Sequence, residues 1–124
     1  MPRRDVRMYL IDARDACDAI REYSTGKDLA EFRSNRMLRS AIEREFSIIG
    51  EAIVQMLRVQ PNLTDRISNA ESIARFRNIL IHAYDLINYD TMWRTTVEDV
   101  PILHAEVCEI LDEIEGRESP QHRG

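Results

Sequence analysis

The sequence predicts an all-α protein, an antiparallel bundle of four to five helices. Its 44% hydrophobic and 31% charged residues, with only four glycines and four prolines, are typical of a helical protein rather than a β-rich or disordered one. Apolar residues also recur at spacings of three and four along most of the chain. A chain of 124 residues is long enough to bury one core. We therefore predict one domain over residues 1–115 and a flexible tail over residues 116–124.

The first two helices are defined by continuous apolar patterns. Residues 4–23 are predicted to form an amphipathic helix that ends before STGKD, and residues 34–59 a long helix that ends before Pro61. The segment PNLTDRIS is then predicted to form a turn. The inward positions are Val6, Leu10, Ala13, Cys17 and Ile20 in the first helix and Leu38, Ile42, Phe46, Ile49, Ile53 and Leu57 in the second.

Three further helices are predicted after this turn. The third helix begins near Asn69 or Ala70, Asp90 is a candidate N-cap for a short fourth helix, and Asp99 and Pro101 resemble the start of the last one. The inward positions are Ile73, Phe76, Leu80, Tyr84 and Ile87, then Trp93 and Val97, then Ile102, Val107, Ile110, Leu111 and Ile114.

The charge of the chain limits its possible partners. A net charge of −5 argues against a general nucleic-acid coat protein, because non-specific affinity for nucleic acids comes mainly from lysine and arginine. The charge is uneven, since residues 1–44 carry +2 and the remainder carries −7. The acidic segment EVCEILDEIEGRE is either a solvated helix face or a patch that repels RNA or docks a basic partner.

Membrane and metal proteins are disfavoured by the sequence. No apolar run approaches the roughly 20 residues of a membrane helix, and charges recur throughout the first 18 residues, unlike in a signal peptide. Cys17 and Cys108 have no metal-ligand spacing, which favours two core thiols in a reducing compartment. A carboxylate-bridged metal bundle would need Glu-x-x-His spacings, which neither His82 nor His104 has. We therefore expect a cytoplasmic protein with no metal and no cofactor.

The third helix is apolar on more than one side. Ile79, Ile81, Ala83 and Leu86 extend its apolar surface far beyond the sector that faces the bundle. A helix that is hydrophobic nearly all round is buried nearly all round, and a bundle of this size covers only part of it. The excess surface predicts a partner, and a two-fold homodimer is the commonest solution.

Three polar residues interrupt this apolar helix. Asn78, His82 and Asp85 are spaced i, i+4 and i+7, so they share the sector away from the bundle face. They form either a satisfied hydrogen-bond network or a functional site, because polar groups buried without partners cost roughly 1–3 kcal/mol each. Arg77 and His82 point roughly 140° apart on a straight helix. A composite site at a dimer axis would help both to reach the same substrate.

The stretch RNILIHAY resembles the R-x(4)-H-x-Y motif of the HEPN superfamily, specifically of its HepT-like toxin branch, through Arg77, His82 and Tyr84. IIGEA, at 48–52, resembles the second-helix signature of that branch. YLIDARDACDAIREYSTGKDLAEF is similar to its first helix and loop, and MWRTTVEDVPIL to its turn into the last helix. The resemblance covers residues from about 7 to 114, that is, nearly the whole predicted domain.

One segment departs from the pattern of that branch. Where its members often have Pro-Trp and then Gly-Met ahead of the arginine, this chain has NAESIARFRN. Asn69, Ala70, Arg75 and Phe76 occupy those places.

The resemblance implies a metal-independent endoribonuclease toxin of a type VII-like toxin–antitoxin system. Such a protein would be a homodimer with RNA as its substrate. An MntA-like nucleotidyltransferase antitoxin would neutralise it by transferring AMP to the motif tyrosine, here Tyr84. In this scheme His82 transfers protons, Arg77 binds the phosphate, and Asn78 orients His82 or the phosphate. Attack by the RNA 2′-hydroxyl would leave a 2′,3′-cyclic phosphate.

The supporting residues leave alternatives open. Glu51 either hydrogen-bonds an arginine or the motif helix, or is a solvated surface residue, and Asp85 is a further candidate for support. Tyr84 is either a core side chain or a residue of the cleft. Arg75 and Arg94 are either RNA contacts or exposed arginines without a specific role. The alternative function is a catalytically silent helical module that binds a nucleotide or docks on a nucleotidyltransferase.

Overall fold

The protein is helical throughout its regular elements. The computed structural model describes residues 5–118, with side chains for residues 5–116. Its α-helices are α1 (Val6–Ser24), α2 (Leu29–Ser34), α3 (Arg36–Val59), α4 (Ala70–His82), α5 (Tyr89–Arg94) and α6 (Val100–Glu118). Two 3-10 helices (Pro61–Arg66 and Tyr84–Leu86) and a π-helix (Thr95–Asp99) connect them. The all-α prediction is confirmed, with one more short helix than the sequence predicted.

Side-chain caps determine where several helices begin. Asp5, Asp28, Asn35 and Asn88 each accept a hydrogen bond from a backbone N–H group in the first turn of the helix that follows. The cap at Asp28 and the complete burial of Phe32 explain the unpredicted α2. The predicted cap at Asp90 is wrong, because Asn88 caps α5 and the Asp90 carboxylate instead accepts a 2.8 Å hydrogen bond from Arg33 Nε.

The hydrophobic core lies where α1 packs against α3 and α6. Leu10, Cys17 and Ile20 of α1 and Ile42 and Met56 of α3 are completely buried. Burying each such aliphatic side chain contributes roughly 1.5–3 kcal/mol. The inward stripes predicted for the first two helices therefore correspond to the core, with Val6 and Leu57 at its edge.

The last two helices are joined without a break, contrary to the predicted helix start at Asp99 and Pro101. A π-helix over Thr95–Asp99 carries α5 directly into α6, and the Val100 N–H group donates to the Thr95 carbonyl. Pro101 has no N–H group to donate to Val97, and its ring would clash with that carbonyl in a regular α-helix. The wider π turn relieves this conflict, which explains why the chain continues instead of restarting.

Helix α6 extends beyond the predicted domain boundary at residue 115. Helix α6 continues to Glu118, so residues 116–118 are helical rather than part of a tail. The remainder of the predicted tail, residues 119–124, lies outside the described residues.

Both cysteines are free, and burial raises the pKa of the Cys17 thiol to about 12 and also raises that of Cys108. None of the helices over residues 5–118 combines the length and apolar character needed to cross a membrane.

Candidate active site

Helix α4 carries the motif and lies against the bundle on one side only. Ile73, Phe76 and Leu80 pack half-buried against the core, with the Phe76 ring edge-on to Phe46 at a centroid distance of 5.4 Å. Ala70 is its only buried residue. The rest of α4 is at least partly open to solvent, including the side chains that the motif supplies.

The helix ends at His82, earlier than its apolar pattern indicates. Ala83 leaves the helical conformation (φ −142°, ψ 49°), and Tyr84–Leu86 form a 3-10 turn. Ile87 still packs against the core after this turn, which explains why the periodicity continued across the helix end. The prediction for Tyr84 as an inward residue is wrong, since its side chain is 57% exposed.

Gly50 of α3 allows α4 to approach closely at the motif arginine. A Cβ atom at Gly50 would lie 2.6 Å from Arg77 Cβ, which is closer than real side chains pack. The glycine of IIGEA therefore serves helix packing, and it brings the following residue, Glu51, beside the Arg77 guanidinium.

Arg77 is held in place by a carboxylate and an amide. Its Nε and Nη2 atoms donate to Glu51 Oε2 at 2.9 and 2.7 Å, and Nη1 donates to Asn78 Oδ1 at 3.1 Å. Gln55 Nε2 donates to the other Glu51 oxygen at 3.0 Å. The hydrogen bonds from Arg77 lower the pKa of Glu51. In the structure, the Glu51 carboxylate binds an arginine, as the first of the two interpretations of this residue predicts.

His82 occupies a different environment from Arg77. It is the last residue of α4, exposed to solvent, and within residues 5–116 its side chain takes part in no hydrogen bond or ion pair. No hydrogen bond in this part of the chain joins Asn78, His82 and Asp85, and Asp85 lies in the turn beyond the helix. The three residues therefore do not form a satisfied network within one protomer, and His82 is free to meet a substrate.

Tyr84 is exposed, but its hydroxyl group is anchored. The Oη atom donates to the two carboxylate oxygens of Glu43 at 2.8 and 2.9 Å, and Glu43 is only 8% exposed. This hydrogen bond is the main reason why the pKa of Tyr84 is raised. Glu43 is not among the site residues predicted from the sequence. Its spacing of seven residues from Gly50 was a usable signal, because that spacing puts both residues on the side of α3 that faces α4.

Large apolar side chains are exposed around the end of α4. Ile81 is 52% exposed and Leu86 is 66% exposed, next to the exposed ring of Tyr84. Ile79 and Ala83 are half-buried. The excess apolar surface predicted for this helix is thus present beside His82. Among the described residues, no group of three or more His, Cys, Asp or Glu side chains is placed to hold a metal ion.

Comparisons with known proteins identify the family of the chain. The family model described as "Ribonuclease HepT-like" matches residues 13–110, which include every motif residue. A "putative RNase" of Methanocaldococcus jannaschii is 34% identical over 109 residues, covering 86% of this chain and 97% of that protein. A "probable ribonuclease HepT" of Thermococcus cleftensis is 32% identical over 105 residues, covering 82% and 91%. No solved structure matches the chain significantly. With its fold, its motif helix and these matches, the chain belongs to the HepT-like ribonuclease family.

Proposed function

We propose that this protein is a metal-independent endoribonuclease toxin that cleaves RNA at a site composed of two copies of α4. The observation that carries the proposal is the pairing of a fixed arginine with an unoccupied histidine on the same helix. Arg77 is held by Glu51, whereas His82 is exposed and without a partner in this part of the chain. This combination suits a site in which the cation positions a phosphate and the imidazole moves protons.

The proposed chemistry needs no group beyond these side chains. One His82 imidazole accepts the proton of the RNA 2′-hydroxyl, whose oxygen attacks the adjacent phosphorus. The bond from phosphorus to the 5′-oxygen breaks, and a second imidazole, from the other protomer, protonates that oxygen. Arg77 donates hydrogen bonds to the phosphate oxygens as their charge increases. The products are a 2′,3′-cyclic phosphate and a 5′-hydroxyl group.

The proposed dimer follows from the exposed apolar residues of the motif helix. On an ideal helix, Arg77 and His82 are about 7.5 Å apart along the axis and about 140° apart around it. One copy of α4 therefore aims them in different directions. Pairing two copies through Ile81 and Leu86 would cover the apolar surface and would bring two histidines to one cleft. Leu86→Asp is expected to give a monomer in sedimentation and to lose cleavage with its helix content unchanged.

Control by an antitoxin is proposed to act through Tyr84. A nucleotidyltransferase of the MntA type would catalyse attack of the Tyr84 Oη atom on the α-phosphorus of ATP, releasing pyrophosphate. The product carries a bulky anion next to the motif and loses the hydrogen bond from Tyr84 to Glu43. Its charge and volume would exclude RNA. Incubation of Tyr84→Phe with such an enzyme and ATP is expected to give no mass increase, whereas the unchanged protein gains one or more AMP units.

The decisive experiment is cleavage of end-labelled RNA in EDTA by the unchanged protein and by His82→Ala. We expect cyclic-phosphate ends from the first protein and a loss of about 10²–10⁴-fold in the second, which is the usual contribution of general acid–base catalysis. His104→Ala is the matched control, because His104 pairs with Asp18 on another surface at 2.8 Å and its loss should leave cleavage unchanged. Equal cleavage by His82→Ala would contradict the proposal.

A second candidate function is a catalytically silent module that binds a nucleotide or docks on a nucleotidyltransferase. The observation that favours it is the ion pair with Glu51, which already satisfies much of the Arg77 guanidinium. If the protein is such a module, neither the unchanged protein nor His82→Ala would cut RNA, although both would remain intact dimers. An intact mass without added AMP would then distinguish a silent module from a toxin that was already modified at Tyr84.

A further inference from the structure

A cavity of about 320 Å³ lies beside the motif helix, on the side of its first turns. It is enclosed by α3, α4, α5, the π-helix and α6, and its apolar wall includes Phe76, Met92 and Leu103. This volume is at the lower end of the range for small-molecule sites. The π-helix in its wall is the rarest helical form and is frequently found at functional sites.

Two arginines lie at the opening of this cavity. Arg75 and Arg94 both line it and both are exposed to solvent. Arg75 has only a distant ion pair with Glu71, at 3.7 Å, and Arg94 pairs with none of the described residues. Two available guanidinium groups around an apolar cavity suit a ligand that combines a flat apolar part with phosphates on its edge.

Three polar side chains without hydrogen-bond partners within residues 5–116 also line the cavity. The side chains of Asn69, Ser72 and Asp99 line the cavity, and none of them hydrogen-bonds another described residue. Asn69 precedes α4 without capping it. An amide, a hydroxyl and a carboxylate can recognise the hydrogen-bonding edge of a nucleobase, while the aromatic Phe76 offers a surface for the base itself.

One of the cavity arginines, Arg75, lies on the same stripe of α4 as His82. Arg75, Asn78 and His82 are spaced i, i+3 and i+7 and are all exposed, so they follow one stripe of the helix. Arg75 precedes His82 by about 10 Å along the helix axis. A single RNA strand that is cut at His82 can therefore continue along this stripe to the cavity.

We propose that this cavity binds an unpaired nucleobase of the RNA substrate next to the cleavage site, with Arg75 and Arg94 contacting its flanking phosphates. The inference rests on the proposed ribonuclease function and adds a specificity subsite to it. The Asp99 carboxylate accepts hydrogen bonds, and the exocyclic amino groups of adenine, cytosine and guanine offer two N–H donors where uracil offers only N3–H, so we expect these three bases to bind more tightly than uracil. Because Asn69, Arg75 and Phe76 stand where the family pattern differs, this subsite is a property of the present chain rather than of the motif.

The test uses methyl-labelled His82→Ala, which is expected to bind RNA without cutting it, titrated with single-stranded hexamers of A, C or U. Binding in the cavity is expected to shift the methyl signals of Met92 and Leu103, but not that of Ile20 in the core. The A and C hexamers should bind more tightly than the U hexamer. A tryptophan at the exposed position Ser72 fills the opening, so Ser72→Trp should abolish these shifts.

Arg94→Ala provides a second variant that changes only an exposed side chain. Losing one phosphate contact is expected to weaken hexamer binding about tenfold and to reduce the salt slope of log Kd by about 1. Arg14→Ala is the matched control. This substitution removes the same charge, but Arg14 lies on α1, away from the cavity. Its affinity and salt slope should stay unchanged.

Each outcome decides the inference separately from the proposed function. If His82-dependent cleavage occurs but the Met92 and Leu103 signals ignore every hexamer, the subsite is wrong and the ribonuclease proposal stands. If those signals respond only to protein concentration, the cavity is a contact between copies of this chain and the inference is again wrong. If the signals shift with RNA but the unchanged protein never cuts it, the cavity is a base-binding site and the ribonuclease proposal fails.

Discussion

The core between α1, α3 and α6 and the motif helix α4 are built in opposite ways. Helix α1 buries five residues and α3 buries nine, whereas α4 buries only Ala70. In the first region, side chains such as Leu10, Ile42 and Val107 are completely buried. In the second, Ile81 and Leu86 are more than half exposed, and His82 has no partner among the described residues.

This difference separates stability from function within one small domain. Side chains of the core are determined by packing inside the protomer, so changes there alter the free energy of unfolding. At the end of α4, His82, Ile81 and Leu86 are exposed, so changes there should act mainly on the proposed dimer and on substrate binding. Variants in the two regions should therefore affect different measurements, and the following predictions test that division.

The largest contrast is expected between two isoleucines. Ile53→Ala removes a side chain that is 1% exposed and should lower the free energy of unfolding by about 2–5 kcal/mol. Ile81→Ala changes a side chain that is 52% exposed and should alter protomer unfolding by less than about 0.5 kcal/mol. Urea denaturation at low protein concentration measures both. Equal losses would mean that α4 is part of the protomer core and would break the comparison.

A second contrast uses two glycines in helices. Gly50→Ala brings a Cβ atom within 2.6 Å of Arg77 Cβ, so α4 must shift, at a cost of about 1–3 kcal/mol. RNA cleavage should also fall, because Arg77 moves with α4. Gly116→Ala meets nothing within 4 Å and should be neutral or stabilising by up to about 1 kcal/mol. Thermal unfolding and RNA cleavage of both variants provide the measurement, and an unchanged Gly50→Ala would disprove the close approach.

A third prediction concerns the link between the two regions, the hydrogen bond from Tyr84 to Glu43. Tyr84→Phe removes the donor from a nearly buried carboxylate and should cost about 1–3 kcal/mol. In Tyr84→Phe with Glu43→Ala the two losses should not add, because both variants remove the same hydrogen bond. Additive losses in this double-mutant cycle would show that the bond contributes nothing.

The same bond predicts how stability changes in alkali. The pKa of Tyr84 is raised in the folded protein by the hydrogen bond to Glu43. The contribution of this hydrogen bond to the free energy of unfolding is therefore fully present below the ordinary tyrosine pKa. It is lost as the pH rises through the pKa that Tyr84 has in the folded protein. Above about pH 10, the free energy of unfolding of the unchanged protein should fall more steeply with pH than that of Tyr84→Phe.

The smallest effect on stability is expected for the ion pair of the site. Glu51→Gln should change the free energy of unfolding by less than about 1 kcal/mol, because the Glu51 side chain is half exposed. Its effect on cleavage should be larger, since Arg77 loses the carboxylate that holds it. Glu22→Gln on the exposed surface of α1 is the control for charge. A variant that cleaves normally would show that Arg77 needs no positioning.

The ion pair also predicts behaviour in acid. Arg77 lowers the pKa of Glu51 in the folded protein. The small contribution of this pair is thus present above the ordinary glutamate pKa and is lost as the pH falls through the folded value. In Glu51→Gln, this part of the acid destabilisation should disappear from the pH dependence of unfolding, whereas in Glu22→Gln it should remain.

The helices that pack against the core could be predicted from the sequence, because burial leaves a periodic pattern. The stripes through Leu10, Cys17 and Ile20 and through Ile42 and Ile53 match completely or nearly completely buried residues. Helix ends were less predictable. The apolar pattern of α4 continues to Ile87, beyond the end of the helix, because a 3-10 turn returns that residue to the core. Helix α2 was missed because six residues are too few to show a periodicity.

By itself, the sequence determined the all-α class, the main core stripes and the motif residues Arg77, His82 and Tyr84, since each of these is a local pattern of residue types. Only the tertiary structure decided that Glu51 holds Arg77, that Glu43 holds the Tyr84 hydroxyl, and that a cavity opens beside α4. Each of these depends on residues more than 20 positions apart. Such contacts are set by how closely α3 and α4 approach at Gly50, and no local pattern encodes that distance.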